Sequence, residues 1–347
     1  MGSGQPSAAP DWPLIAIVGP TGSAKSALAL KLAEELNGEV LSCDSVQIYR
    51  GLDIGSGKVP AEWRQRVPHH LLDVVGPEDL FSAGDYRREA EKALHEVRAR
   101  KNLPIVVGGT GLYLRALVDG LFDSPGRSEE LRQRLRRLAQ RRGRPFLHRM
   151  LRRRDPAVAQ GMDPNDVQKI IRALEICLIS GRAASNLYAE GTRPLKMFHP
   201  IVLGLSPPRA RLGERINLRV ENMFASGLLD EVKNLLESGC SPSAKALGAL
   251  GYRQACGVLE GSLSVAEAVE STQRGTRRYA KRQLTWFRRQ TKPSWFEGFG
   301  DSPSLQRQVM DWLAGQLGSF PAARARRYSN PGKKKRRIHG HANTFGR

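Results

Sequence analysis

The sequence of 347 residues lacks paired cysteines and long apolar runs. None of its four cysteines forms a C-x-x-C pair, so the spacing indicates neither a zinc site nor a disulfide framework, and we expect buried, reduced thiols. No apolar run approaches the roughly 20 residues that span a bilayer. The first ten residues also lack the basic and then apolar layout of a signal peptide. We therefore expect a cytoplasmic protein that does not enter membranes.

Acidic residues are scarce in two segments of a chain whose net charge is +21. Residues 324–347 hold nine Lys or Arg and no acid, and residues 127–154 hold twelve arginines against Glu129 and Glu130. Leucines recur at helical spacing in the second segment. Solvated helix faces usually mix both signs, so we interpret this segment as a surface for a polyanion such as RNA. The alternative is an ordinary solvated face.

The most specific motif lies between an apolar run at residues 14–18 and a helical pattern at residues 27–36. The order of strand, tight loop and helix places backbone N–H groups, a helix N-terminus and Lys25 around an anion, and Ser26 can ligate Mg²⁺. The pattern G-x-x-x-x-G-K-[ST] departs at Ala24, which we expect to be tolerated at negative φ. An ordinary glycine-rich turn is the alternative. The predicted diphosphate-binding residues are Gly19, Pro20, Thr21, Gly22, Ser23, Ala24, Lys25 and Ser26.

Strands alternate with helices along the chain. Further strands are predicted at residues 40–44, 103–107 and 201–205, with helices at 86–100, 209–238 and 265–289. The fold class is therefore α/β, with a P-loop-type doubly wound parallel sheet. We predict a P-loop core from residues 13–123 and 194–320, an all-helical insertion at 124–193, and disordered ends at 1–12 and 321–347.

Ser26, Asp44 and Thr110 each follow a predicted strand, so they should converge at the carboxyl edge of the sheet. The strand at residues 103–107 runs into Gly108-Gly109-Thr110 without an acid. NTP-hydrolysing P-loop proteins place a metal-binding Asp there. Asp44 is consequently the best-placed carboxylate in this sequence.

Seven segments in this order and spacing resemble the tRNA dimethylallyltransferase family, over roughly residues 14–295. They are residues 19–26, 44–58, 68–73, 107–113, 165–175, 251–254 and 280–288, which read GPTGSAKS, DSVQIYRGLDIGSGK, PHHLLD, VGGTGLY, NDVQKIIRALE, GYRQ and AKRQLTWFR. The basic tail has no counterpart in the family. The resemblance implies transfer of a dimethylallyl group from dimethylallyl diphosphate to N6 of the adenosine immediately 3′ of the anticodon, in tRNAs reading codons that begin with U.

The resemblance also implies roles for residues. Asp44 matches the family's proposed base, Thr110 its hydroxyl near the reacting groups, and Arg219 an arginine on the diphosphate. Mg²⁺ is the implied cofactor, the anticodon stem-loop the partner, and the protein a monomer. The implied tRNA contacts are Asp44, Ser45, Val46, Gln47, Thr110, Arg132, Gln168, Lys169, Ile170, Ile171, Arg172, Gly251, Tyr252, Arg253 and Gln254. For Asp44 a capping or metal-shell role is the alternative, and for Tyr252 plain core packing.

Three other functions are compatible with parts of the sequence. A P-loop phosphotransferase accounts for the anion loop but not for the arginine-rich insertion. An RNA-binding module with a vestigial P-loop accounts for Ala24. A relative that prenylates free AMP accounts for the chemistry, but such enzymes lack a large basic insertion.

Overall fold

A computed structural model describes residues 12–318. Within this range six parallel strands form one sheet in the order β3-β2-β4-β1-β5-β6. The strands are β1 Trp12–Val18, β2 Gly38–Ser42, β3 His69–His70, β4 Leu103–Gly108, β5 Phe198–Leu205 and β6 Ser294–Phe296. The predicted doubly wound parallel sheet is thus confirmed. Trp12 belongs to β1, so its assignment to a disordered end is wrong; residues 1–11 and the basic tail lie outside the described range.

Helices cover both faces of the sheet. They are α1 Lys25–Leu36, α2 Ala61–Arg66, α3 Ala83–Ala99, α4 Gly111–Val118, α5 Glu129–Arg142, α6 Arg144–Arg154, α7 Pro156–Gln160, α8 Val167–Ser180, α9 Ala184–Ala189, α10 Arg209–Ala225, α11 Leu228–Glu237, α12 Tyr252–Leu259, α13 Val265–Gln290 and α14 Pro303–Leu317. The single helix predicted at residues 209–238 is two helices, because Gly227 has φ +98° and ends α10 before α11 begins.

The central strand β1 is buried from Pro13 to Val18 because both of its faces are covered. Leu14 and Ala16 pack with the α3 side, and Ile15 and Ile17 pack with the α1 and α14 side. This alternation follows from the period of two along a strand. The apolar run therefore predicts the strand correctly, whereas β3 and β6 are too short, at two and three residues, to give such a signal.

Helices α5 to α9 form the insertion and pack around their own apolar cluster, which includes Leu135, Leu147, Leu151 and Leu174. Side chains cap three of its helices: Ser128 accepts from Leu131 N, Asp155 from Val158 N, and Asp166 from Lys169 N. The predicted helical character is confirmed, and the division of the chain into domains stays a prediction. Between residues 12 and 318 no helix has the length and apolar character needed to cross a membrane.

Candidate active site

The loop between β1 and α1 is shaped to surround an anion. Gly19 and Gly22 have φ +148° and +80°, and a side chain on Gly19 would lie 2.9 Å from Leu205 O. Pro20 O accepts hydrogen bonds from Ser23 N at 3.3 Å, Ser23 Oγ at 2.8 Å and Lys25 Nζ at 2.7 Å. The loop is thereby closed on itself before α1 begins, which leaves the helix N-terminus facing the space above it.

Ala24 corrects one expectation. It has φ 59° and ψ 33°, the left-handed conformation, and not the negative φ that we expected. For a residue with a Cβ this conformation costs roughly 1–2 kcal/mol. The loop geometry around it imposes this conformation, which explains why the general pattern has glycine at this position.

A cavity of about 450 Å³ lies over the loop, at the carboxyl edge of β2 and β4. Four parts of the chain line it. The loop side consists of Thr21, Gly22, Ala24, Lys25, Ser26 and Ala27, and the strand side of Val40, Ser42, Asp44, Gln47, Val107, Gly108 and Gly109. The opposite wall consists of Ser56, Gly57, Lys58, Val59, Pro60, Trp63, His69 and Leu72, and the C-terminal half of the chain adds Arg215, Arg219, Tyr279, Gln283 and Asp301. The predicted convergence of Ser26 with Asp44 is therefore observed.

Two buried cations and one carboxylate interact across this cavity, beside Lys58 and the Arg215–Asp301 ion pair that also line it. Burial lowers the pKa of Lys25 to about 8; Asp44 opposes this shift and Arg219 adds to it. Burial also lowers the pKa of Arg219, again against the attraction of Asp44. Two desolvated cations near one carboxylate leave an excess of positive charge, so an anionic ligand would relieve their desolvation.

Asp44 is held by its own turn. Its Oδ1 accepts hydrogen bonds from Val46 N at 2.8 Å and Gln47 N at 3.4 Å. Within residues 12–318 its Oδ2 has no hydrogen-bond partner. The carboxylate is thus fixed through one oxygen, and the other is available to a reacting group.

Thr110 lies at the same edge but does not line the cavity. Its Oγ1 accepts from Ser45 N at 3.0 Å, which fixes the chain next to Asp44. The glycines around it permit close approach: a side chain on Gly108 would clash with the backbone of Cys43, and one on Gly109 would clash with Gln283. The glycine-rich sequence after β4 therefore serves packing of backbone against neighbouring elements.

Gln283 of α13 is a site residue that motif reasoning did not single out. Its Oε1 accepts from Thr21 N at 2.8 Å, and its Nε2 donates to Gly109 O at 2.9 Å. One buried amide thus joins the anion loop to the loop after β4. The nearby Tyr279 has a pKa raised to about 12, first by burial and then by Asp44, so its hydroxyl keeps its proton. The only sequence signal was the segment AKRQ, which carries Gln283.

The residues predicted to contact tRNA differ in their exposure to solvent. Gln168, Lys169 and Arg253 are exposed, and Ser45, Val46 and Gln47 are partly exposed. Five others are buried among apolar neighbours or in hydrogen bonds, and their contact with RNA stays a prediction: Ile170, Ile171, Gly251, Tyr252 and Gln254. Tyr252 is 0% exposed, which is what its alternative, core packing, predicts.

Arg132 and Arg172 form ion pairs with a buried carboxylate, that of Glu175. Glu175 is 0% exposed, and its carboxylate accepts from Arg132 Nε at 2.8 Å, from Arg172 and from Ser128 N. Burial would raise the pKa of Glu175, but these hydrogen bonds outweigh it and lower the pKa to about 2. We expected Arg132 to face phosphate; the structure instead places its guanidinium in this ion pair, whereas Arg134, Arg137 and Arg141 on the same helix are exposed.

Comparison with known proteins identifies close relatives. The family model described as IPP transferase matches residues 47–290. A protein named tRNA dimethylallyltransferase from Solibacter usitatus is 47% identical over 307 residues, covering 88% of this chain and 99% of the relative. Another of the same name, from Koribacter versatilis, is 48% identical and covers 86% of this chain and 96% of the relative.

Solved structures give the same result. A tRNA isopentenylpyrophosphate transferase from Bacillus halodurans superposes with a TM-score of 0.66 at 36% identity, covering 89% of this chain and 97% of that chain. A eukaryotic dimethylallyltransferase acting on tRNA superposes with a TM-score of 0.75 at 26% identity, covering 88% and 79%.

Proposed function

Since this chain belongs to the IPP transferase family and is a tRNA dimethylallyltransferase, we propose that its cavity binds dimethylallyl diphosphate and transfers the dimethylallyl group to N6 of the adenosine immediately 3′ of the anticodon. The observation that carries this proposal is the convergence of Lys25, Arg219 and Asp44 on one cavity. Two cations suit a departing diphosphate, and a carboxylate suits an amine that must lose a proton.

The reaction requires positive charge around the diphosphate and a carboxylate near the N6 amine. Breaking the allylic C–O bond leaves negative charge on the diphosphate and positive charge on carbon, so donors around the diphosphate stabilise the transition state more than the ground state. In this chain those donors are the loop amides, Lys25 and Arg219. The N6 amine forms the new C–N bond and gives a proton to Asp44, whose Oδ2 is free to accept it.

The residues also fit a magnesium ion. The Ser26 hydroxyl lines the cavity, and oxygen atoms are the ligands that Mg²⁺ prefers. When bound beside the diphosphate, the ion would neutralise part of its charge. Ser26 would hold it at the N-terminus of α1.

The acceptor must enter as a single base. An adenine stacked in an anticodon loop cannot reach a cavity, so it has to be flipped out at a cost of a few kcal/mol. Exposed arginines of the insertion, among them Arg134, Arg137 and Arg141, would hold phosphates of the stem and so offset part of that cost. We also propose that the enzyme acts as a monomer.

Incubation with radiolabelled dimethylallyl diphosphate and Mg²⁺ tests the proposal, with tRNA, AMP or ATP offered separately as acceptor. We expect label in tRNA alone, with one diphosphate released per group transferred. Label in AMP with tRNA inert would favour the AMP-prenylating alternative, and absence of diphosphate binding would favour an RNA-binding protein with a vestigial loop. Phosphate transfer from ATP would favour a phosphotransferase.

A further inference from the structure

Residues 53–58, which we call the wall segment, form the cavity wall opposite the anion loop through Ser56, Gly57 and Lys58. The wall segment belongs to no helix or strand. Its position therefore depends on bonds from elsewhere in the chain, because backbone N–H groups away from water need partners.

Two side chains from the C-terminal half supply those partners. The Glu231 carboxylate on α11 accepts from Asp53 N at 3.0 Å, Ile54 N at 2.7 Å and Gly55 N at 3.4 Å. The next N–H, that of Ser56, donates to the Tyr252 hydroxyl at 3.0 Å. That hydroxyl in turn donates to Glu231 Oε1 at 2.7 Å. Four consecutive amides are thus held by one carboxylate and one phenol.

The opposite side of the wall segment holds two residues of the site. Arg219 donates to Ser56 O at 3.3 Å, and Gln47 Nε2 donates to Ser56 O at 3.4 Å and to Gly57 O at 3.2 Å. The packing is close at both glycines. A side chain on Gly55 would lie 2.6 Å from the Tyr252 ring, and one on Gly57 would overlap the Arg219 guanidinium.

We propose that Glu231 is a positioning residue for the transfer reaction. Through the backbone of the wall segment, Glu231 and Tyr252 fix the carbonyl that orients the Arg219 guanidinium toward the diphosphate. Glu231 is not among the residues that line the cavity. The inference rests on the proposed function, in which Arg219 binds the departing diphosphate.

The Glu231→Gln variant tests this inference. Both carboxylate oxygens of Glu231 accept hydrogen bonds from the wall segment, whereas a glutamine has one accepting oxygen and an NH₂ group that would face backbone N–H groups. Displacement of a catalytic group by about 1 Å can cost roughly 10²-fold, so we expect kcat to fall by about 10- to 100-fold. The KM for tRNA should stay unchanged. Glu237→Gln is the matched control, because Glu237 lies on the same helix and pairs with Lys233 at the surface; it should keep full activity.

A double-mutant cycle with Arg219→Lys separates positioning from a general loss of structure. If Glu231 acts through Arg219, the double variant should be no slower than Arg219→Lys alone. Multiplying effects on kcat would overturn the inference, as would wild-type kcat in Glu231→Gln. If Glu231→Gln does not fold, Tyr252→Phe replaces it in the cycle, because it removes only the hydroxyl that links Glu231 to Ser56. Failure of wild-type protein to prenylate tRNA would instead contradict the proposed function.

Discussion

At the scale of single residues, Ala24 shows how a loop can impose a conformation that its sequence does not favour. Its φ of 59° is suited to glycine. We expect Ala24→Gly to raise the free energy of unfolding by up to about 1 kcal/mol, since relief of the left-handed cost is partly offset by a more flexible unfolded chain. Activity should be unchanged or mildly raised. Urea unfolding at constant m-value measures the effect.

Ala33→Gly is the control for this substitution, because Ala33 lies in the interior of α1 and outside the cavity lining. Glycine in a helix interior costs roughly 0.5–1 kcal/mol, so this variant should be less stable. If both variants changed the free energy of unfolding in the same direction, our account of Ala24 would be contradicted. An increase in activity by orders of magnitude in Ala24→Gly would show that the natural loop is impaired.

Lys25 makes diphosphate binding depend on pH. Its pKa of about 8 lies below the ordinary value of 10.5, so in the free protein the ammonium loses its proton as pH rises through 8. Diphosphate binds the charged form, and affinity should therefore fall above pH 8, by up to tenfold per pH unit. Calorimetric titration of dimethylallyl diphosphate from pH 7 to 10 measures this. In the Lys25→Arg variant the ligand ionises as it does with the wild type, but the side chain at position 25 keeps its positive charge up to pH 10. An equal fall in affinity in that variant would therefore show that deprotonation of Lys25 is not the cause.

Asp44 should affect chemistry more than binding. Asn at this position can keep the turn through Oδ1 but cannot accept the N6 proton. A positioned base typically contributes about 10²–10⁴-fold, so kcat of Asp44→Asn should fall by about 10²-fold or more while diphosphate affinity stays nearly unchanged. A variant that keeps kcat at saturation but loses affinity in Mg²⁺ would make Asp44 a metal ligand instead.

At the scale of elements, the buried carboxylate of Glu175 ties α8 to α5 through Arg132. Removing one partner of a buried ion pair costs roughly 3–5 kcal/mol, so Glu175→Gln should destabilise the insertion by about that amount. Glu190→Gln, which removes a surface pair with Arg182, should cost about 0–1 kcal/mol. Urea unfolding followed by far-ultraviolet circular dichroism measures both.

The carboxylate of Glu175 should also make the stability of the insertion depend on pH. The pKa of Glu175 is lowered from 4.5 to about 2 in the folded protein, so its stabilisation is complete above about pH 4.5 and is lost as pH falls toward 2. Glu175→Gln should remove this part of the acid sensitivity. An acid unfolding profile identical to that of the wild type would show that Glu175 is not its source.

At the scale of the whole molecule, the exposed arginines of α5 should control tRNA affinity without affecting chemistry. Each lost phosphate contact lowers the slope of log affinity against log salt by roughly 0.7–0.9. Replacing Arg134, Arg137 and Arg141 with Gln should therefore flatten the slope by up to about 2–3, with kcat at saturating tRNA unchanged. The charge-matched control replaces Lys31, Arg66 and Arg307, which lie on α1, α2 and α14. Parallel slopes for the two triple variants would show that the face is merely solvated.

The sequence by itself determined the parts that depend on neighbours along the chain. The apolar run of β1 and the order of strand, loop and helix follow from local periodicity and from the needs of an anion loop. Residue spacing likewise predicted the helical insertion. These features are local because a period of two or 3.6 residues already decides which face is buried.

Only the tertiary structure decided which polar groups act together. Gln283 reaches Thr21 across 262 residues of sequence, and Glu231 reaches Ile54 across 177. The GYRQ segment was expected at the RNA, yet Tyr252 is buried against the wall segment. No local pattern encodes such pairings, because a hydrogen bond between distant segments depends on how whole elements pack, and burial of an amide or phenol is favourable only where packing supplies its partner.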